Sequence, residues 1–449
     1  MRRSILFLLL ALAMTTVGAQ TNPGMWTTRQ AADLTLTQAE ILPTYASNYR
    51  LVELNQEELV PSLLSEDRST RPIALPKPDG SFMTVQIRPN SVMAPGLASR
   101  YPGIQTFEIV PDGSKILGGR AGWTYQGFHA TIRTTQGTFF IDPYTKLDSR
   151  YYVVYRVEDN LQYADWSSFT CGVEGEEELD IEDYYGSEEV MNFGDRSLLG
   201  GAPVVQRRYR LAMAATGQFT VYHGGTVEQA MSAIVTMVNR INEVYGREAA
   251  IQFELVEDND MLIFTSITDD PYTSNAASDL IATNPGVIND RIGNEAYDIG
   301  HVLSTNNSVS GLARLQGVCV NDIKARAAST TVNPIGDPFV IAIICHEMGH
   351  QFGATHTQSG CQNVTIGTAV EPGGGTTIMG YAGICPNGYN IQSSTDDYYN
   401  NSSLAQIYEF SRNDLGNACP EQIDEGNSAP EVSTEYENGF YIPIGTPFE

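Results

Sequence analysis

The stretch from His346 to His356 constrains this chain more than any other. It reads His346-Glu347-Met348-Gly349-His350-Gln351-Phe352-Gly353-Ala354-Thr355-His356. Upstream, Phe339 to Cys345 is apolar throughout. Asp337-Pro338 is expected to open a helix there, Asp as N-cap and Pro at the first helical position, where its missing N–H costs nothing. On that helix His346 and His350 lie four apart and share a face, their Cβ atoms roughly 5–6 Å apart. Two imidazoles at that spacing can bind one metal ion. Glu347 follows the first of them directly, so its carboxylate can meet a water instead of the metal. Gly353 tolerates a positive φ, which ends the helix and turns the chain back. That reversal can return His356 as a third ligand and leave a fourth position open, as a catalytic zinc site needs. A bare pair of helical histidines is often structural, but the added glycine and third histidine make the pattern far rarer.

The remainder of the 449 residues divides by composition. Arg2 and Arg3, the apolar run Ile5 to Met14 and the small residues Val17-Gly18-Ala19 read as a secretory signal over 1–19. No later stretch is long and apolar enough to span a bilayer. Residues 20–170 are expected to be β-rich, with alternating runs at Thr84–Ile87, Phe139–Ile141 and Tyr152–Tyr155. Turns are expected at Pro89-Asn90, Asp112-Gly113 and Gly118-Gly119, and a short helix over 56–64. An acidic run from Glu174 to Glu189 marks 171–203 as a self-repelling linker and processing region. A second composition occupies 204–422. It begins with a strand over Arg208–Met213 and a helix capped by Thr226 and closed by Gly246. Strands are expected over Ile251–Leu255, Asp298–Leu303 and Leu312–Val320, giving a mixed α/β unit. Residues 423–449 read as a linker leading into a further C-terminal module. The net charge of −27 argues against a nucleic-acid partner, because such affinity rests on cations neutralising phosphates. Six cysteines in an exported chain suggest disulfides, with Cys171 isolated from the other five. His129, His223 and His301 are expected to be structural.

The motif resembles the extended zinc signature of the metzincin peptidases. Within that group the chain is similar to the reprolysin-like (adamalysin or ADAM-type) family in its bacterial, secreted versions, over about 207–419. The implied fold is an α/β (α+β) metzincin-type domain with a mixed sheet and long helices, preceded by a β-rich propeptide domain. The resemblance implies one catalytic zinc ion on His346, His350 and His356, Glu347 as general base, and Met379 in a tight turn beneath the metal. Ser310-Gly311-Leu312-Ala313 matches the edge strand on which substrate is laid. Cys319–Cys419 and Cys361–Cys385 are the implied bridges. Tyr381 has the spacing that astacins and serralysins use for a tyrosine near the metal, so it either stabilises the oxyanion or packs. Two departures stand out. Thr357 follows the third histidine where reprolysins usually have Asp, and the first strand lacks an acidic calcium ligand, so calcium is not expected.

The implied activity is secreted, zinc-dependent endopeptidase hydrolysis of proteins and peptides, from a latent zymogen. Under that reading residues 20–170 restrain the enzyme as its own inhibitor, and processing falls between about Val190 and Arg207. Cys171 is then a thiolate ligand blocking the open metal position, or a buried unligated thiol, or a partner for Cys345. The competing function is an inactive metzincin-fold module that holds zinc for binding or adhesion, in which Glu347 would be dispensable.

Overall fold

The computed structural model describes residues 24–36, 41–42, 46–146, 148–159, 170–175, 203–307, 310–385 and 388–428. The expected signal segment, most of the acidic stretch with its processing region, and the chain beyond 428 lie outside the described residues.

Alternating apolar residues build the first sheet. It contains β1 (Trp26–Thr28), β2 (Arg50–Leu54), β3 (Arg71–Pro76), β4 (Phe82–Pro89), β5 (Gln105–Val110), β6 (Ile116–Thr124), β7 (Gly127–Thr134), β8 (Gly137–Pro143) and β9 (Tyr151–Arg156). Their order is β1-β2-β9-β8-β7-β6-β5-β4-β3, and every pair of neighbours runs antiparallel. The continuous apolar runs in β8 and β9 arise because both faces are covered. Phe139, Ile141, Tyr152 and Val154 enter one core with Trp26 and Phe128, while Phe140, Val153 and Tyr155 enter another. The helix Gln56–Leu63 closes the first core with Leu59 and Leu63. Gly118-Gly119, expected as a turn, lies instead inside β6, at a register shift between Ile116 and Gly118. A bulge uses glycine there for its backbone freedom.

The second sheet is mixed. It contains β10 (Thr170–Glu174), β11 (Pro203–Ala215), β12 (Ile251–Leu255), β13 (Ile299–Thr305), β14 (Ser310–Arg314), β15 (Ala327–Thr331) and β16 (Glu421–Ser428). The order is β10-β14-β15-β13-β11-β12, with β16 paired to β11. β14 is antiparallel to β15, whereas β10 lies parallel to β14, Cys171 opposite Gly311. Leu211 and Met213 of β11 face a core shared with the helix Val227–Ala249 and with the helix spanning 336–351. Ala212 and Ala214 face the helix Ala277–Ile292 on the other side. The strand expected over Leu312–Val320 ends at Arg314, because the chain turns there: Gln316 and Cys319 both take positive φ. Gly246 does not close its helix, which runs on to Ala249 and ends on a left-handed Ala250. Burial of Val244 and Tyr245 beside it outweighs the roughly 1 kcal/mol that an internal glycine costs.

The two sheets pack across the helix Val227–Ala249. Asn239 Nδ2 donates to the Ala121 carbonyl at 3.0 Å, and Arg133 pairs with Glu243 at 2.5 Å. Residues 92–94 join the edge of β12, with the Ala94 amide 2.9 Å from the Leu255 carbonyl. Beside them Arg100 pairs with Asp260 at 3.0 Å. Among the described residues no helix is long and apolar enough to cross a membrane.

Candidate metal centre and cleft

The helix over 336–351 has three parts, Gly336–Phe339, a wider π-turn segment Val340–Cys345, and His346–Gln351. Ile335, not Asp337, holds the N-cap position. Asp337 is drawn away because its carboxylate pairs with the buried Arg240 at 2.8 Å, an ion pair worth more than a cap hydrogen bond. π-Turns of this kind are rare and gather at functional sites. After Gln351 the chain reverses at Gly353, whose φ is +89°, and the amides of Gly353 and Ala354 close the turn onto the carbonyls of His350 and Gly349, both at 2.9 Å.

That reversal brings His346, His350 and His356 together with all three rings buried. His346 Nδ1 donates to the Ile378 carbonyl and His350 Nδ1 to the Ala354 carbonyl, each at 2.7 Å. These bonds turn both Nε2 lone pairs inward. Burial pushes the three imidazoles toward the neutral form, His346 down to about 4 and His350 and His356 well below the usual histidine range, the neighbouring imidazoles adding to the shift of those two. Neutral imidazole is the ligand form.

Cys171, on β10, completes the group. Its Sγ lies 3.4 Å from His346 Nε2, 3.6 Å from His350 Nε2 and 3.4 Å from His356 Nε2. A tetrahedral ion with bonds of about 2.0–2.1 Å to nitrogen and 2.3 Å to sulfur would separate N from S by about 3.5 Å. The four donor atoms therefore fit such an ion, and they form the one His/Cys/Asp/Glu cluster of this kind among the described residues. Neither Cys171 nor Cys345 is in a disulfide, so the bridge between them, one expectation for Cys171, is not made. Cys345 is fully buried on the same helix, its carbonyl accepting from Tyr245 and Tyr399, and burial pushes its thiol well up.

Glu347 is fully buried beside the cluster, with Oε1 3.4 Å from Cys171 Sγ and Oε2 without a hydrogen-bond partner among the described residues. Burial raises its carboxyl well above the usual range. An orphaned oxygen here is costly unless something else uses it. Gly311 makes room for this side chain: a Cβ at 311 would stand 1.9 Å from Glu347 Oε1. Gly349 does the same for the buried Met379, whose Sδ would lie 2.6 Å from an added Cβ. The Tyr381 hydroxyl lies 3.1 Å from His356 Nε2, and burial raises its pKa.

Ser310, Gly311, Leu312 and Ala313 form β14 as expected, but its outer edge already carries β10. Cys319–Cys419 and Cys361–Cys385 are disulfides, with Cα atoms 5.6 and 5.4 Å apart. His129 pairs with Asp142 at 3.1 Å, His223 packs beside Gln126, and His301 bonds Ser329 at 2.9 Å; none of the three belongs to the cluster. Two contributors escaped the sequence reading. Asn363 Nδ2 donates to the Cys171 carbonyl at 2.9 Å, from a loop whose sequence has no periodicity to flag it. Thr357, the departure after the third histidine, gives its hydroxyl to Glu371 at 2.5 Å. The available signal was that Glu371 is the sole Asp, Glu, Lys or Arg between Glu347 and Asp396.

Among solved structures, metalloproteinase-II from Bacteroides fragilis is similar over 82% of this chain and 96% of its own, at 12% identity and a TM-score of 0.39. The family model for metallo-peptidase family M12B, reprolysin-like, matches residues 205–410, a span that holds the three histidines, Glu347 and Met379. That segment, a little under half of the chain, is similar to the reprolysin-like metallo-peptidases of family M12B.

Proposed function

We propose that this protein is a secreted zinc endopeptidase made in a latent form, with residues 24–175 acting as its own inhibitor. One observation carries the reading: a cysteine from β10 points into the middle of three converging imidazoles, while its strand occupies the edge of β14. His346, His350 and His356 would hold the ion, and Cys171 would fill the remaining position in the latent form. When bound, zinc supplies Lewis acidity, polarising the scissile carbonyl and making a water acidic enough to lose its proton near neutral pH.

The protein's own groups do the rest. Glu347, buried beside the three imidazoles, would take the proton of the attacking water and pass it to the leaving amine. In the latent form Cys171 Sγ stands against its Oε1, where that water would otherwise sit. Tyr381, kept protonated by burial, would donate its hydroxyl to the developing oxyanion. Protein or peptide substrates would pair along Ser310–Ala313 through main-chain hydrogen bonds once β10 has left. The two disulfides agree with an oxidising, extracellular destination.

The test cuts the chain between Val190 and Arg207, removes the released N-terminal part, and presents a quenched-fluorescent peptide library to wild type and Glu347→Gln, with zinc content measured in both. About one zinc in each, with cleavage by wild type alone, is the expected result. Zinc in both without cleavage in either would leave a zinc-holding binding module instead.

A further inference from the structure

The turn of Met379 and the residue after His356 are joined by a single buried carboxylate. Glu371 is 7% exposed. Its Oε2 accepts from the hydroxyls of Thr357 at 2.5 Å and Thr377 at 2.6 Å. Its Oε1 accepts from the amides of Thr376 at 2.9 Å and Thr377 at 3.2 Å. The main chain repeats the connection: the Glu371 amide donates to the Thr357 carbonyl at 2.8 Å, and the Thr357 amide to the Met379 carbonyl at 3.2 Å. There is no slack around the carboxylate. Gly375, at φ +68°, lies so close that a Cβ there would stand 3.0 Å from the Glu371 carboxyl carbon.

Each end of this clamp leads to a metal ligand. Thr357 follows His356 directly. Thr377 precedes Ile378, whose carbonyl accepts the Nδ1 proton of His346. Burying a carboxylate without a cation costs several kcal/mol unless its lone pairs are filled, and here four donors fill them. Two of those donors are main-chain amides of one turn, and the other two are hydroxyls from separate segments. A carboxylate that accepts from all four fixes the distance between the segments, where a neutral amide would have to present a donor to one hydroxyl.

We propose that Glu371 is the positioning residue of the metal centre, setting the ring orientations of His346 and His356 by binding the turn of Met379 to Thr357. This rests on the zinc reading above. Changes in groups that orient ligands typically weaken metal affinity by about 10–100-fold, so Glu371→Gln in the full chain should bind zinc on the order of ten-fold more weakly. The experiment measures zinc release to a chelator, the absorption spectrum of the cobalt-substituted protein, and thermal unfolding of the metal-free protein. Glu371→Gln should shift the cobalt spectrum and speed zinc release. Thr357→Val, which removes one hydroxyl, should move both in the same direction by less, and Thr357→Ser should restore wild-type behaviour. A Glu371→Gln protein that unfolds earlier when metal-free, yet keeps wild-type zinc release and cobalt spectrum, would reduce Glu371 to a structural role and overturn the proposal. If Glu371→Gln does not fold, indistinguishable Thr357→Val and Thr357→Ser proteins overturn it equally. Wild type that takes up no zinc would sink the zinc reading itself, and this inference with it.

Discussion

Replacing Gly311 by alanine adds one methyl group to β14 and directs it at Glu347. The new Cβ would lie 1.9 Å from Oε1, 2.5 Å from Cδ and 2.8 Å from Cγ of Glu347. Ordinary van der Waals contact requires the carboxylate to retreat by about 1.5 Å. Gly311 does not take a positive φ, so the backbone itself is not strained by a side chain. Alanine in a strand interior would otherwise be favoured by about 0.5–1 kcal/mol, against about 1–3 kcal/mol for overpacking. The protein should therefore fold, with a modest loss of stability. Catalysis is another matter, because displacing a reacting group by about 1 Å costs on the order of 10²-fold, or about 2.7 kcal/mol of barrier. The assay is kcat and KM of the processed protein on a fluorogenic peptide, with zinc per chain and Tm measured beside it. Gly311→Ala should lose about 10²-fold in kcat while retaining its zinc, since the atoms nearest the added methyl belong to Glu347 and not to the three histidines. Full activity in a folded, zinc-loaded Gly311→Ala protein would refute both the placement of Glu347 and its role as general base.

Cys171→Ala should give the uncut chain measurable peptidase activity, less than the processed form because β10 still covers β14; an uncut variant as silent as wild type counts against thiol-based latency. Cobalt-substituted wild type should show a thiolate-to-cobalt charge-transfer absorption, and the same variant should lack it. Of the two disulfides, Cys319–Cys419 closes 100 residues and Cys361–Cys385 closes 24. Chain entropy then makes the first worth about 4.7 and the second about 3.4 kcal/mol, so urea unfolding of the paired serine variants should rank them in that order. Burial lowers the His223 pKa from 6.5 to about 3. The unfolded chain protonates this histidine below its ordinary value while the folded chain does not, so stability is complete above that pH and falls as the pH drops toward about 3. The slope is at most about 1.4 kcal/mol per pH unit, and His223→Gln should flatten it in denaturant titrations at stepped pH.

The convergence of His346, His350 and His356 was legible because its physics is local. Two imidazoles on one helical turn and a glycine that reverses the chain need no knowledge of the rest of the fold. Regular elements with strong periodicity were equally legible: Ile251–Leu255 is β12 as expected, and Thr226 caps its helix by accepting from the Gln229 amide. The helix Ala277–Ile292 escaped because Pro285 and Gly286 sit in its middle; burial of Leu280, Ile281, Val287 and Ile288 and the hydrogen bonds of Asn284 hold it in place. β15 escaped for a related reason. Its Ala-Ala-Ser-Thr-Thr is buried on both faces and has no alternation to read. Asp337 carried a sound capping signal, but the partner that claims it, Arg240, is 97 residues away in sequence. Asn363 was hidden by a greater separation, 192 residues from Cys171, whereas Glu371 lies only 5 to 14 residues from its partners, in a stretch without helical or strand periodicity. What each does depends on which loop returns beside it.

The grip of the first sheet on the second has a consequence for how restraint would end. Arg100 on Asp260, Arg133 on Glu243, Asn239 on Ala121 and residues 92–94 along β12 all lie away from the metal centre. A cut between 176 and 202 breaks none of these contacts. On the latent-form proposal it would change a tethered inhibitor, held at an effective concentration on the order of mM, into a separate molecule at whatever concentration the solution provides. Scission and activation would then be two events. A concentrated, fully cut preparation would stay largely silent and come alive on dilution, with a lag set by the rate at which the two pieces part.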